Sequence, residues 1–212
     1  MAIKFSLYNY SIFFAALSPL FISTYLLLSS LFQGNIRGIV FLIGNAIASF
    51  FGMGIKAAAK RPRGKLKYLD KYNNQTDANS LPPAHDFCDV FEPAMESLKH
   101  YGMPSSHAVF FGYLLTYLQL GIQSNPNKPG IPFFVLLSVL GGMDLFFRAS
   151  SRCDSGLDIF AGLIIGGAIG AAWFFFVKYL WPDGEKVVYF AKDDVNVEKC
   201  KLGKQKFVCK KN

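Results

Sequence analysis

Charged residues are scarce in this 212-residue sequence. They form 17% of the chain, well below the ~25% of an average soluble domain, whereas 52% of the residues are hydrophobic. The low charge argues against an ordinary soluble enzyme, and the high hydrophobic content excludes a disordered chain. Lipid is therefore expected to be part of the solvent of the folded protein.

Charge is missing altogether from five long stretches of the chain. They lie between Lys4 and Arg37, Arg37 and Lys56, Lys99 and Lys128, Lys128 and Asp144, and Asp158 and Lys178. A helix needs ~20 mostly apolar residues to cross a bilayer core about 30 Å thick. The stretches therefore predict an all-α, polytopic transmembrane bundle of about five helices, in an integral, multi-pass membrane protein.

The expected helices cover residues 9–33, 37–58, 104–123, 131–148 and 157–180. The first exceeds the about 7 to 15 apolar residues of a signal-peptide core, so we expect it to be retained. The proline-rich polar segment 61–104 cannot span lipid and is predicted to form a lid at one membrane face. We predict that residues 1–181 form the bundle and that residues 182–212 form a soluble basic tail. Within the tail, the pattern favours short strands over 186–192 and 195–208, with Gly203 near a turn inside the Cys200–Cys209 loop, as in a short β-hairpin.

The net charge of +8 does not by itself indicate a nucleic-acid partner. The Lys and Arg residues flank apolar runs and do not form a groove interleaved with aromatic residues. The expected partners are therefore the membrane and a lipid phosphate or other anionic headgroup, with no nucleic acid. The tail is a candidate surface for assembly with other proteins, and no cofactor or metal is expected.

Three glycines in the last expected helix, Gly162, Gly166 and Gly170, recur at intervals of four. This spacing places them on one face of the helix. Small residues in this pattern let a neighbouring membrane helix approach closely. We therefore interpret them as packing residues and not as ligand-binding residues.

Five crossings would place the lid segment and the loop 149–156 at one membrane face, and the turn 124–130 and the tail at the other. The first face would collect the guanidinium groups of Arg61 and Arg148 and the helix start at Ser105. Guanidinium groups and helix N-termini both bind phosphate oxygens. The first face is therefore predicted to form an oxyanion site.

In order and spacing, these residues resemble the motifs K-x6-RP, PSGH and SR-x5-H-x3-D of the type 2 phosphatidic acid phosphatase superfamily, which includes the vanadium haloperoxidases. The resemblance covers residues from about 54 to 170. Arg61 and the proline after it match the end of the first motif, and residues 104–107 match the second with Ser in place of Gly. Arg148 and Asp158 match the third motif at its required separation of ten.

The resemblance implies a membrane lipid phosphatase that releases phosphate without a metal. Arg61 and Arg148 would bind the phosphate, together with hydroxyl and amide donors of Ser105 and Ser106. His107 would act as the general acid, since histidine titrates near neutrality. Asp158 would orient the nucleophile.

The chain departs from the family at the nucleophile itself. The family uses the histidine of the third motif, and Asp154 stands at that position, four residues before Asp158. A carboxylate can also attack phosphorus, so Asp154 stays a candidate catalytic residue. Against this, the two carboxylates are expected to repel each other and an incoming phosphate dianion. The first motif's lysine position is also changed, to Gly54, with Lys56 and Lys60 nearby in a different helical phase.

The four cysteines leave the membrane orientation open. Cys88 and Cys153 belong to the predicted site face, Cys200 and Cys209 belong to the tail, and only one face of a membrane is oxidising. A disulfide between Cys88 and Cys153 would put the site face in a lumenal or external compartment. A disulfide between Cys200 and Cys209 would put it in the cytosol.

Two functions compete on the sequence alone. The first is a lipid phosphate phosphatase whose activity depends on His107. The second is a non-catalytic relative that binds lipid headgroups or serves as a structural membrane component of a larger assembly, such as an organellar complex or the membrane of a virion. The change at Asp154 and the presence of five helices, where the family commonly has six, favour the second. A transporter is a third and weaker interpretation, because three of the five helices carry almost no polar residues near the bilayer midplane.

Overall fold

The computed structural model describes residues 7–61, 101–127, 130–151, 153–181, 184–191, 199–202 and 207–210. The predicted lid segment lies almost wholly outside these described residues, and so does Cys88. The lid and the pairing of Cys88 therefore stay predictions.

Five long helices make up most of the described chain: α1 (Leu7–Phe32), α2 (Arg37–Ala59), α3 (Ser106–Ser124), α4 (Ile131–Ser150) and α5 (Gly156–Leu180). A short helix, α6 (Gly184–Val187), and an antiparallel strand pair, β1 (Lys199–Leu202) and β2 (Phe207–Lys210), follow them. The helical class is confirmed. The helix bounds expected from the charge-free stretches differ from the observed ones by at most two residues.

Three of the helices, α2, α4 and α5, are long and apolar enough to cross a membrane. Many of their large apolar side chains are exposed, as on α4 at Val135, Leu136, Val139, Met143 and Phe146. An exposed apolar surface of this extent is rare in a soluble monomer and typical of a surface that contacts lipid. The membrane assignment is therefore supported by three candidate spanning helices.

Helix α3 lies at the centre of the bundle. It contacts each of the other four long helices, and the side chains of Tyr113, Leu114, Tyr117 and Leu118 are fully buried. The phenol of Tyr113 donates a hydrogen bond to the backbone carbonyl of Phe41 in α2, at 2.9 Å. The residues that begin and end α3 are consequently fixed relative to all its neighbours.

Helices α3 and α5 pack most closely in the described structure. A Cβ atom on Gly162 would lie 2.7 Å from the carbonyl oxygen of Ser105, and one on Gly170 would lie 2.6 Å from that of Tyr113. A side chain on Gly166 would overlap the carbonyl oxygen of Val109. The packing role predicted for the glycine series is confirmed.

The beginning of the tail differs from the sequence expectation. The strand expected over 186–192 begins inside α6, and Val188 and Tyr189 belong to the same buried apolar cluster as side chains of α2 and α3. The alternating apolar residues that suggested a strand instead cover the end of the bundle. The observed strand pair, in which Cys200 stands opposite Cys209, lies on the two sides of the expected turn near Gly203.

Candidate functional site

Seven buried polar side chains meet at the end of the bundle where α2 ends, α3 begins and α4 leads into α5. They are Lys56, Ser105, His107, Asp144, Arg148, Asp154 and Asp158, and each is at most 4% exposed. We call these seven residues the site cluster and this end of the bundle the site end. Because buried charges are costly unless they are paired or hydrogen-bonded, a cluster of buried ionisable side chains marks a candidate functional site.

Ser105 connects the beginning of α3 to the beginning of α5. It is the N-cap of α3, and its hydroxyl accepts a hydrogen bond from the backbone amide of Ala108, at 3.5 Å. The same hydroxyl donates to Oδ2 of Asp154 at 2.7 Å. Its backbone amide donates to the carbonyl oxygen of Asp158 at 3.0 Å. The sequence signal for a helix start thus also places a hydroxyl donor inside the site.

Asp154 is paired with Arg148 across the short loop between α4 and α5. The Nε atom of Arg148 donates to Oδ2 of Asp154 at 2.5 Å, the same oxygen that Ser105 contacts. The loop is drawn back onto the last turn of α4 because the amide of Cys153 donates to the carbonyl of Arg148, at 2.9 Å. Two donors that the motif resemblance assigns to phosphate therefore bind a carboxylate of the chain itself.

Asp158 is held by Ser155 in a capping box at the beginning of α5. Its Oδ2 accepts hydrogen bonds from the backbone amide and the hydroxyl of Ser155, at 3.0 and 2.6 Å. Its Oδ1 is buried and has no hydrogen-bond partner within the described residues. The repulsion expected between Asp154 and Asp158 is offset, because Arg148 neutralises the first and the helix N-terminus stabilises the second.

His107 forms a pair that sequence reasoning missed. Its Nδ1 lies 2.7 Å from Oδ2 of Asp144, on the facing helix α4. Asp144 was not among the candidate site residues predicted from the sequence. The carboxylate fixes the orientation of the imidazole ring, and the second oxygen of Asp144 is buried without a hydrogen-bond partner in the described chain.

Of the two lysines near the end of α2, Lys56 is the one that lies in the site cluster. Its side chain is buried, and Nζ donates to the hydroxyl of Ser106 at 3.3 Å. Lys60 is exposed and forms the left-handed C-cap of α2, while a Cβ atom on Gly54 would meet nothing within 4 Å. The sequence signal that could have identified Lys56 is its position near the end of an apolar helix. From there, the long side chain of a lysine can extend to a polar layer.

Arg61 lies beside the site cluster and is not part of it. Its Nη1 contacts the sulfur of Met103 at 3.3 Å, and its carbonyl accepts a hydrogen bond from the amide of Gly102 at 2.9 Å. Its side chain is half-buried. Arg61 is therefore outside a cluster defined by full burial, and its role in phosphate binding stays a prediction.

The charges of the site cluster nearly balance. Two basic side chains, Lys56 and Arg148, are buried in the cluster together with three acidic ones, Asp144, Asp154 and Asp158. Among the described residues, no group of three or more His, Cys, Asp or Glu side chains is arranged to hold a metal ion. The cluster consequently combines acidic and basic side chains and is not a purely positive pocket.

Cys153, next to Asp154, is disulfide-bonded. A covalent link at this position anchors the loop that carries Asp154. It is also the kind of bond that forms and persists in oxidising compartments.

The helix arrangement and the site cluster can be set against known proteins. A scan against models of protein families, a search of curated proteins and a search of solved structures each found no match. The resemblance to the phosphatase superfamily therefore stays a prediction that depends on the motif residues and their spacing in this chain.

Proposed function

We propose that this chain is a multi-pass membrane protein that binds the phosphate of a lipid headgroup at the site end. One observation carries this proposal. Lys56 and Arg148 come from two separate segments, and both reach the N-terminus of α3: Lys56 donates to the hydroxyl of Ser106, and Arg148 shares the Asp154 carboxylate with Ser105. Cationic side chains and exposed helix amides are the groups that bind phosphate oxygens in proteins.

All five long helices cross the membrane in this proposal. Helices α2, α4 and α5 have the length and hydropathy for it. Helix α1 contributes the shorter apolar part Leu17–Phe32 among its described residues. Helix α3 needs less apolar surface than the others because its neighbours cover it. A lipid phosphate would then reach the site end with its acyl chains between the helices.

The site end faces a lumenal or external compartment in this proposal. The disulfide bond of Cys153 supports this orientation, since such bonds persist in oxidising surroundings. A membrane-impermeant reductant followed by an impermeant maleimide, applied to sealed vesicles of known sidedness, tests it. Labelling of Cys153 from the external or lumenal side is expected, and labelling from the cytosolic side alone would contradict it.

In the favoured version of this function, the protein binds the lipid phosphate and does not hydrolyse it by the family's mechanism. The family's nucleophile is a neutral histidine, whereas Asp154 is a carboxylate already engaged by Arg148 and Ser105. An anion so engaged is a weak nucleophile towards a dianionic phosphate. Metal-independent hydrolysis of a lipid phosphate is the second candidate, favoured by the His107–Asp144 pair, which provides an oriented acid.

Calorimetry on the full chain in nanodiscs tests the proposal with dihexanoyl phosphatidic acid and, as control lipid, dihexanoyl phosphatidylcholine. We expect the phosphatidic acid alone to bind with its phosphate in the site cluster. Lys56→Met should weaken binding about tenfold, the equivalent of one lost charge-assisted hydrogen bond. Lys178→Met is the matched control, because Lys178 is a partly buried lysine whose Nζ contacts Ser124 at the other end of the bundle.

Inorganic phosphate released in the same samples separates the two candidates. No release supports binding alone, and release that His107→Ala abolishes supports hydrolysis. Equal binding of the two lipids, or an equal loss in both lysine variants, would overturn the phosphate site at this end of the bundle.

A further inference from the structure

We propose that the Asp154 carboxylate is an internal ligand of the phosphate site, and that a bound phosphate must displace it. This inference rests on the proposed function and deepens it, because it names the group that regulates entry to the site. The chain carries its own competitor for the anion.

The contacts of Asp154 carry the inference. One carboxylate oxygen, Oδ2, accepts hydrogen bonds from the guanidinium Nε of Arg148 at 2.5 Å and from the hydroxyl of Ser105 at 2.7 Å. These donors come from the end of α4 and the beginning of α3. A phosphate oxygen has the same negative charge and accepts the same two bonds. The carboxylate and the phosphate therefore compete for one pair of donors.

The loop gives the internal carboxylate a high effective concentration. Asp154 lies between α4 and α5, and the amide before it donates to the carbonyl of Arg148. Cys153, the residue directly before Asp154, is disulfide-bonded, which restricts the loop further. A tethered group that is already near its donors competes far better than the same group free in solution.

The charge balance of the site cluster also supports the inference that Asp154 competes with phosphate. Lys56 and Arg148 face three buried carboxylates, so little positive charge is left over for an added anion. If the charge of Asp154 is removed, the guanidinium of Arg148 and the hydroxyl of Ser105 lose the carboxylate that they share. Neutralising Asp154 should therefore strengthen the binding of phosphate, contrary to the usual effect of mutating a site residue.

The Asp154→Asn variant tests this in the full chain, with inorganic phosphate as the probe and calorimetry in detergent as the readout. Asparagine keeps the shape of the side chain and removes its charge. We expect phosphate to bind about tenfold more tightly or better than to the parent. Glu185→Gln is the matched control, since it removes one carboxylate charge at the other end of the bundle, where Glu185 is exposed. Its affinity should stay within about twofold of the parent.

Thermal unfolding gives a second readout. Asp154→Asn should melt at a lower temperature than the parent without phosphate and regain the difference as phosphate is added, because the anion then pairs with Arg148. Asp154→Ser should behave in the same way, and it keeps the test available if the asparagine variant does not fold.

The outcomes separate the inference from the function on which it rests. If the parent binds phosphate and both Asp154 variants bind it equally or more weakly, the proposal that Asp154 is an internal ligand is overturned. The phosphate site itself is then still supported. Absence of binding in the parent and in folded Asp154 variants overturns both. A similar gain in Glu185→Gln would show a general charge effect and overturn the internal ligand.

Discussion

The two ends of the bundle bury polar groups in different ways. At the site end, charged side chains pair with other side chains, as Arg148 does with Asp154. At the opposite end, two buried side chains donate to backbone carbonyls instead: Nε of Arg37 contacts the carbonyl of Lys186 at 2.8 Å, and the phenol of Tyr189 contacts that of Leu26 at 2.6 Å. Burial raises the pKa of the Tyr189 phenol to about 12, so it stays a neutral donor under physiological conditions.

In the proposed function, the polar contacts at the site end can be exchanged for a ligand, whereas those at the opposite end are fixed. A side-chain partner such as Asp154 can rotate away and release its donors to a ligand of like charge. A backbone carbonyl in a helix cannot move away without disrupting that helix. Of the two ends, the site end is therefore the one suited to exchange its internal partners for a ligand.

The largest expected effect is a gain of hydrolysis in Asp154→His. The buried Oδ1 of Asp158 has no hydrogen-bond partner among the described residues. An imidazole four residues earlier can donate to this oxygen and leave its second nitrogen to attack phosphorus. We expect phosphate release from short-chain phosphatidic acid about 10²-fold or more above the parent.

Two further variants test whether the gain of hydrolysis depends on the new imidazole and on its partner Asp158. Asp154→Ala removes the carboxylate without supplying a nucleophile and should stay as inactive as the parent. The double variant with Asp158→Asn should lose most of the gain, because the imidazole then lacks its anionic partner. A hydrolytic rate that is the same in Asp154→His and Asp154→Ala would contradict this reading of the site end.

Alanine at buried glycines tests the packing at each end. Gly162→Ala presses α5 against the carbonyl of Ser105, and Gly121→Ala presses α3 against that of Tyr189. Each should lower the free energy of unfolding by about 1–3 kcal/mol. Only the first should also weaken phosphate binding, because Ser105 belongs to the site.

Gly142→Ala is the control for both glycine variants. A Cβ atom there meets nothing within 4 Å, so helix propensity should leave the protein equally stable or up to about 1 kcal/mol more stable. Unfolding in mixed micelles measures all three. Equal losses of phosphate binding in Gly162→Ala and Gly121→Ala would remove the distinction between the two ends.

The smallest effect is expected for Tyr189→Phe at the opposite end. It removes one buried hydrogen bond and leaves the carbonyl of Leu26 without that donor. The free energy of unfolding should fall by about 1 kcal/mol, with phosphate affinity unchanged. A change in phosphate affinity would show that the opposite end is coupled to the site.

Local composition was sufficient to predict the helices. Charge-free stretches located all five long helices to within two residues, and three of these helices, α2, α4 and α5, are long and apolar enough to cross a membrane. The capping role of Ser105 was also readable, since a hydroxyl directly before an apolar run is a helix-start signal.

The pairings inside the site were not readable in the same way. Asp144 lies 37 residues from His107, and Lys56 lies 50 residues from Ser106. Which of these side chains meet depends on how α2, α3 and α4 are rotated against one another. The motif spacing identified most members of the site cluster, whereas the choice of partners required the packed bundle.

A double-mutant cycle between Ser105 and Asp154 tests whether the carboxylate of the α4–α5 loop is bound by the Ser105 hydroxyl at the beginning of α3. Unfolding of the parent, Ser105→Ala, Asp154→Asn and the double variant would be measured in mixed micelles. We expect a coupling energy of about 1–3 kcal/mol, as for a buried hydrogen bond to a charged group. Additivity within about 0.5 kcal/mol would show that the two residues do not interact and would contradict the account.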